Sequence, residues 1–300
     1  MRIQKFDDIL AAAAQCKEKR TVAVACAADE DVLTAVVQAK RAGVAEAILI
    51  GDAARIAALL PGVGAQPEEF EILQAQQEQE AAQMAVACVR EGRADLLMKG
   101  LLGTATLLRA VLARDTGISQ GGLMSHLMFY EPPGHKLFCL TDGGLNPFPE
   151  LEKKEQILQN AAEALQRLGY CRMTAACVCG AEVVNPKIPS NLDAQALCAQ
   201  NARWQRDYGM TVYGPVGLDL AVSKEAVRHK HYGVACAGEA DILLVPNYEV
   251  GNGVGKALTL FAGAKNAGVV VGARVPIVLT SRADSAQNKL ASIALGCLLA

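Results

Sequence analysis

Along the chain, short apolar runs alternate with stretches whose apolar positions recur every three to four residues. Strands therefore alternate with helices, which predicts an α/β protein with largely parallel sheets. TVAVACA from Thr21 reads as a buried strand. A helix follows, capped by Asp29 or Asp31 and running through Lys40 and Arg41 to a stop at Gly43. AEAILIGD supplies the next strand, and FEILQA a weaker one before a long helix from about Gln76 to Arg90, closed by Gly92. ADLLMKG returns to the sheet. Thr104–Ala113 then forms a helix with Leu107, Leu108, Val111 and Leu112 on one apolar face.

The rhythm changes after Gly117. GLMSHLMFYE and HKLFCLTDG flank the Pro132-Pro133-Gly134 turn, which predicts an antiparallel hairpin that opens a second domain. Helices are expected over Leu151–Leu168, Asn191–Tyr208 and Ser223–His229, with a strand in MTAACVCG between the first two. ADILLVP is a further buried strand, followed by a glycine-rich loop and a helix through Lys265. VPIVLTS is the last strand, and the segment from Asp284 onward the last helix. No repeat or low-complexity linker marks a boundary, so the division rests on pattern. Residues 1–118 with 272–300 are expected to form one α/β domain and 119–271 the other.

Composition narrows the classes of function. The chain has 300 residues, 52% hydrophobic and 20% charged, enough apolar matter for two cores and too much for disorder. Its 29 Lys+Arg against 31 Asp+Glu, with 4% aromatics, argue against a nucleic-acid binder or a polybasic membrane protein. The apolar stretch after MRIQKFDD is too short, and too acidic in front, for a signal peptide. Arg274 and Arg282 interrupt the late apolar segments, so none is expected to span a bilayer. Of ten cysteines, Cys26, Cys88, Cys139, Cys177, Cys179, Cys236 and Cys297 sit in apolar runs, as reduced core thiols do. No C-x-x-C pair is present. A cytoplasmic protein without a metal site is expected.

In open α/β sheets ligands bind beyond the carboxyl ends of the strands, and that rule selects a few loops. Thr280-Ser281-Arg282-Ala283-Asp284-Ser285 brings a hydroxyl, a guanidinium and a carboxylate to the start of the last helix, a set suited to a phosphate and a reacting group. The same residues also suit a plain cap at Asp284 or Ser285 with a surface charge at Arg282. Glu249-Val250-Gly251-Asn252-Gly253-Val254-Gly255-Lys256 offers backbone N–H groups to an anion, with Lys256 adding charge; a simple strand-to-helix turn is the other reading. A Walker loop would need Gly at 250 and Ser or Thr at 257, and a dinucleotide fingerprint Gly at 256; neither is met. Lys99 ends ADLLMKG and is an anion-binding candidate, with Thr104 and Arg109 on the next helix. Those two lie about 140° apart around it. Asp142-Gly143-Gly144-Leu145-Asn146-Pro147 is either a polar binding loop or a turn. His126 alternates with apolar neighbours in a strand, while His229 and His231 flank Lys230 at a helix end. No G-x-S-x-G elbow supports an α/β-hydrolase.

The segments MKGLLGTATLLRAVL, GGLMSHLMFYE, LTDGGLNPFPELEKKEQILQNA, VVNPKIPSNLDAQAL, GPVGLDLAVSKEAV, AGEADILLVPNYEVGNGVGKAL and VPIVLTSRADSAQNKLASIAL, in that order, resemble the phosphate acetyl/butyryl transferase family. The resemblance runs from about residue 95 to 298 and more weakly before; TSRADS and VPNYEVGN point to the butyryl branch. It implies two α/β domains of isocitrate/isopropylmalate dehydrogenase-like architecture, with the active site in the interdomain cleft of a homodimer or larger assembly. The implied reaction is acyl transfer, butyryl-CoA plus phosphate giving butyryl phosphate plus CoA. Coenzyme A is then a substrate, and no metal or other cofactor is implied.

In the reverse direction the CoA thiolate attacks the acyl carbonyl and phosphate leaves, so the chemistry needs a base, an oxyanion donor and a cation. By similarity Ser281 hydrogen-bonds the carbonyl, Arg282 holds phosphate and Arg109 is a second phosphate ligand. Ser125, Asn252 and Lys256 match motif positions facing the cleft. Lys99, Thr104, Asp142, Asn146 and Glu249 complete the expected substrate-binding set. Related acetyltransferases use a carboxylate about two turns into the last helix as base. The matching position here is Asn288, and Asp284 is the expected substitute. Gly255 stands where relatives often carry Tyr, which implies a larger acyl pocket or altered CoA contacts.

Other readings remain beside this one. A phosphate acetyltransferase, or a relative for other short or branched chains, differs only in pocket volume. A β-decarboxylating dehydrogenase would need an Asp cluster that is not found, and a CoA- or acyl-phosphate-binding sensor would bind without turnover. Replacing Arg282 with Gln is expected to cost about 2–4 kcal/mol in transition-state stabilisation. Turnover close to that of the parent would remove the guanidinium from the reaction.

Overall fold

The structure, a computed structural model, describes residues 2–281 and 284–300. Arg282, the expected phosphate ligand, therefore lies outside the described residues. The strands are β1 (Arg20–Ala25), β2 (Ala45–Gly51), β3 (Glu71–Gln74), β4 (Leu96–Lys99), β5 (Ser125–Glu131), β6 (Phe138–Thr141), β7 (Met173–Val178), β8 (Met210–Val216), β9 (Ile242–Leu244), β10 (Lys265–Val271) and β11 (Ile277–Val278). The helices are α1 (Phe6–Ala14), α2 (Glu30–Arg41), α3 (Ala53–Leu59), α4 (Glu78–Arg90), α5 (Thr104–Val111), α6 (Leu151–Arg167), α7 (Pro189–Ala199), α8 (Asn201–Tyr208), α9 (Leu218–Val222), α10 (Lys224–His229), α11 (Tyr248–Leu260) and α12 (Ala286–Leu299).

The chain divides into two compact units. The first is Asp7–Gly122 with Ala267–Ala300; the second is Leu123–Asn266 with the chain up to Phe6. The junctions thus fall at 122/123 and 266/267 rather than 118/119 and 271/272. The amino terminus belongs to the second unit because Ile3 N donates to Leu168 O at 3.0 Å and Arg2 pairs with Asp241 at 3.2 Å.

In the first unit the strands lie in the order β3-β2-β1-β4-β11-β10. β1 is parallel to β2 and β4, β4 is parallel to β11, and β10 is antiparallel to β11. All of β4 and most of β1 are buried, as strands covered on both faces require. Helix α12 is buried nearly all round from Lys289 onward and packs against α2. In the second unit the order is β5-β6-β9-β7-β8. β5 and β6 form the expected antiparallel hairpin, and β6, β9, β7 and β8 run parallel.

Several expectations need correction. The helix expected over Asn191–Tyr208 breaks at Gln200 into α7 and α8. The helix expected to reach Lys265 stops at Leu260, and Lys265–Val271 is instead strand β10. Its first half, Lys-Asn-Ala-Gly, has weak strand propensity; contacts such as Gly268 N donating to Ser292 Oγ at 2.9 Å hold it in place. Strand β8 is a further strand, which the pattern of apolar runs does not mark. Leu112 is 54% exposed, because α5 ends at Val111 and Ala110 completes the buried face.

All ten cysteines are free thiols. Cys88, Cys139, Cys177 and Cys297 are buried, whereas Cys26, Cys179 and Cys236 are half-buried. Burial pushes the Cys297 thiol up to about 12, so it is inert. Among the described residues no helix is long and apolar enough to cross a membrane. Leu97, fully buried in β4 between β1 and β11, is a direct test of this packing. Leu97→Ala is expected to destabilise the chain by about 2–5 kcal/mol, read as a lower denaturant midpoint.

Candidate active site

The chain leaves β1 through α2 to β2 and β3 on one side and comes back to β4 on the other. The direction of strand addition reverses between β1 and β4, which is where open α/β sheets receive ligands. Because β1, β4 and β11 are parallel, their carboxyl ends meet at one edge. A pocket opens there, with Asp29, Lys99, Gly100, Thr280, Ser281 and Lys289 in its lining. Lys99 and Ser281, 182 positions apart in the sequence, are thus brought together.

The local backbone explains why. Gly100 N donates to Ala25 O at 2.9 Å and Leu101 N to Cys26 O at 2.8 Å. A Cβ at residue 100 would lie 2.2 Å from Cys26 O and 2.6 Å from Ala25 O, so only glycine fits. The turn this creates buries Lys99 to 5% exposure, its Nζ donating to the carbonyls of Gly100 and Leu102, both at 3.3 Å. Burial, and next the Glu78 charge, push the nearby Cys26 thiol up to about 11 against the pull of Lys99. Cys26 is therefore not poised as a nucleophile.

Ser285 is the cap of α12, its Oγ accepting from Asn288 N at 3.3 Å. The Asp284 carboxylate accepts from Ser281 N at 2.6 Å, and Asp284 N donates to Ser281 O at 3.2 Å. Asp284 thus closes a turn around Ser281. Its carbonyl accepts from Lys289 Nζ. Lys289 is 3% exposed and is not among the residues expected from sequence; its signal is a cation at the head of the apolar run LASIALGCLL. Thr104 opens α5, and Arg109 is exposed in its last turn. Neither is among the described lining residues.

The remaining candidates lie in the second unit. Asp142 Oδ1 accepts from Gly144 N and Leu145 N, both at 2.8 Å. Its Oδ2 accepts from His126 N at 3.0 Å and Asn146 Nδ2 at 2.7 Å. Asn146 also donates to Met124 O at 2.9 Å, and fully buried Ser125 accepts from Asn160 Nδ2 at 3.0 Å. Ser125, Asp142 and Asn146 are thus brought together as a hydrogen-bonded frame that fixes the loop after β6.

The glycine-rich segment is a helix, not a loop. Asn247 caps α11 by accepting from Val250 N at 3.0 Å, and residues 249–256 all follow within the helix. Helix propensity disfavours three glycines here, but packing requires two of them. A Cβ on Gly251 would fall 2.6 Å from Gly143 Cα, and one on Gly255 2.3 Å from Tyr130 Oη. The space beside Gly255 is therefore filled by Tyr130, not left for an acyl chain. Glu249 and Lys256 are exposed on α11 and Asn252 is half-buried. Elsewhere in this unit buried Lys154 pairs with Asp193 at 2.6 Å, joining α6 to α7 beside the carboxyl ends of β7 and β9. Among the described residues no group of three or more His, Cys, Asp or Glu side chains gathers as a metal site.

The family model described as phosphate acetyl/butaryl transferase matches residues 5–85 and 65–297. The chain is 43% identical over 299 residues to the phosphate butyryltransferase of Clostridium acetobutylicum, covering 99% of both chains. It is 40% identical over 297 residues to the phosphate acetyltransferase of Rhizobium meliloti, covering 99% of this chain and 93% of that one. Among solved structures it is similar to a branched-chain phosphotransacylase from Enterococcus faecalis V583, with a TM-score of 0.81 at 34% identity over 93% of this chain and 98% of that one. A 4-hydroxythreonine-4-phosphate dehydrogenase from Burkholderia phymatum shares the fold alone, with a TM-score of 0.55 at 14% identity over 94% of this chain and 99% of that one.

The contact at Gly255 carries its own test. Gly255→Tyr is expected to push α11 away from Tyr130 and cost about 1–3 kcal/mol or more. Thermal unfolding reads this directly, and an unchanged midpoint would mean that the helix has room there.

Proposed function

The chain belongs to the phosphate acetyl/butyryl transferase family, and from that premise we propose that it moves a butyryl group between coenzyme A and inorganic phosphate. Family membership makes it a transferase. The choice of butyryl rests on one observation, the 43% identity to a phosphate butyryltransferase across 99% of both chains. The pocket at the β1–β4 switch point supports the reading, because it joins a hydroxyl, Ser281, to a buried cation, Lys99.

In the direction of acyl-CoA synthesis, a base removes the CoA thiol proton and the sulfur attacks the carbonyl carbon of butyryl phosphate. The carbonyl π electrons move to oxygen, and the oxyanion accepts a hydrogen bond from Ser281 Oγ. Collapse of that intermediate breaks the carbon–oxygen bond to phosphate, which departs against Lys99 and Arg282. Asp284 takes the thiol proton, since the amide of Asn288 is not basic enough to do so. Its carboxylate already touches the Ser281 backbone, which favours a place beside the reacting carbonyl. Thr104 and Arg109 in the first unit, and Glu249, Asn252 and Lys256 in the second, are the further substrate-binding candidates. Ser125, Asp142 and Asn146 act by holding their loop.

The free thiols and the lack of a membrane-crossing helix among the described residues support a cytoplasmic site of action. The exposed Leu260 and Phe261 favour a homodimer or larger assembly. Transfer of an acetyl group is the second reading, favoured by the 40% identity to a phosphate acetyltransferase.

Phosphate-dependent release of CoA thiol from acetyl-, propionyl-, butyryl- and isobutyryl-CoA is expected to peak at the butyryl ester. A peak at acetyl would give the second reading, and no release with any ester would overturn both. Asp284→Asn is expected to lower kcat by about 10²-fold or more at little change in KM. An unchanged kcat would move the base elsewhere.

A further inference from the structure

Helix α12 starts from its Ser285 cap and brings Lys289 into the lining of the switch-point pocket. The side chain is 3% exposed, and among the described residues it forms no ion pair. Its polar contact is the carbonyl oxygen of Asp284. An ammonium held out of water without a counter-charge is costly, and a leucine or methionine would suit the flanking apolar run better. An ammonium has three N–H donors, and one carbonyl engages a single one of them.

The surroundings specify what the others await. Lys99 and Ser281 line the same pocket. Asp29 is the carboxylate among the described lining residues, and its Oδ1 is engaged by Val32 N at the start of α2. Two buried ammonium groups and the positive end of a twelve-residue helix therefore gather at this pocket, where the Asp29 carboxylate is engaged by Val32 N and the Asp284 carboxylate by Ser281 N. Compact point charges at the end of β4 and in the first turn of α12 suit a phosphate, whose oxygens spread over several donors.

We propose that Lys289 is a ligand for the phosphate that the acyl group joins or leaves, as free phosphate or as the phosphate of the acyl phosphate, alongside Lys99. The natural ligand rests on the acyl-transfer reading; the anion chemistry of the pocket does not. Phosphate bound here also meets the amine that holds the Asp284 carbonyl, and through that turn the position of Ser281.

The variants are K289Q, which keeps a donor for the Asp284 carbonyl and removes the charge, and K289R, which keeps the charge. The probe is inorganic phosphate, and the readouts are the phosphate-induced rise in thermal midpoint and the two KM values. K289Q is expected to lose most of the thermal shift and to raise the phosphate KM about tenfold or more, with the acyl-CoA KM within about twofold. K289R is expected to restore much of both. A phosphate shift in K289Q equal to that of the parent overturns the proposal. So does a KM change confined to acyl-CoA, which would assign the charge to the phosphates of coenzyme A. If K289Q fails to fold, K289R decides: a phosphate KM close to that of the parent supports the charge, and one raised about tenfold overturns it. If the parent shows a phosphate shift but releases no CoA from any ester, acyl transfer fails while the thermal comparison still decides the role of Lys289.

Discussion

Gly100 N donates to Ala25 O at 2.9 Å, and β4 then passes so close to β1 that a Cβ there would overlap Cys26 O. That approach ends β4 abruptly and folds Lys99 back over its own turn. It also leaves the carboxyl ends of β1, β4 and β11 level with one another. The pocket at the switch point is a consequence of this arrangement. So is the placement of a buried ammonium there, because the turn folds Lys99 Nζ onto the carbonyls of Gly100 and Leu102. Any side chain at residue 100 would separate the strand ends before it touched the chemistry.

A similar close approach organises the second unit, with a different outcome. Gly251 of α11 lies against Gly143, so the helix packs on the loop that Asp142 braces with four accepted hydrogen bonds. Here the polar groups are used up internally. A carboxylate with four donors already aimed at it fixes geometry, whereas Ser281 is exposed just beyond β11 and lines the pocket. The two clusters show why residue type alone does not separate a binding group from a bracing one.

The sequence made the first of these legible and concealed the second. Buried strands announce themselves as apolar runs, and Lys99 is conspicuous because it ends one. Ser281 is legible for the same reason. The Glu249–Lys256 segment misleads because three glycines argue against helix, while the partner that demands them, Gly143, is about a hundred residues away in the sequence. Asp142 looks like a ligand until its four donors are located in space. Lys289 is hidden by its helix: a cation on an otherwise apolar α12 carries meaning only once the pocket beside it is known. Strand β10 is hidden by its composition, since tertiary contacts rather than propensity hold Lys265–Gly268 in the sheet.

Lys154 and Lys289 make the decisive comparison. Both are buried at the carboxyl edge of a largely parallel sheet, and both begin helical stretches that are otherwise apolar on the buried side. Lys154 has the Asp193 carboxylate at 2.6 Å, so its charge is compensated inside the chain and its role is to tie α6 to α7. Lys289 has a carbonyl dipole in that place, which orients an ammonium but does not neutralise it. A fold that supplies a carboxylate for one buried lysine and, among the described residues, none for another favours an external anion for the second. In a reaction whose leaving group is phosphate, an ammonium oriented in this way would apply binding energy where it counts most, because the attraction strengthens as negative charge gathers on the departing oxygen.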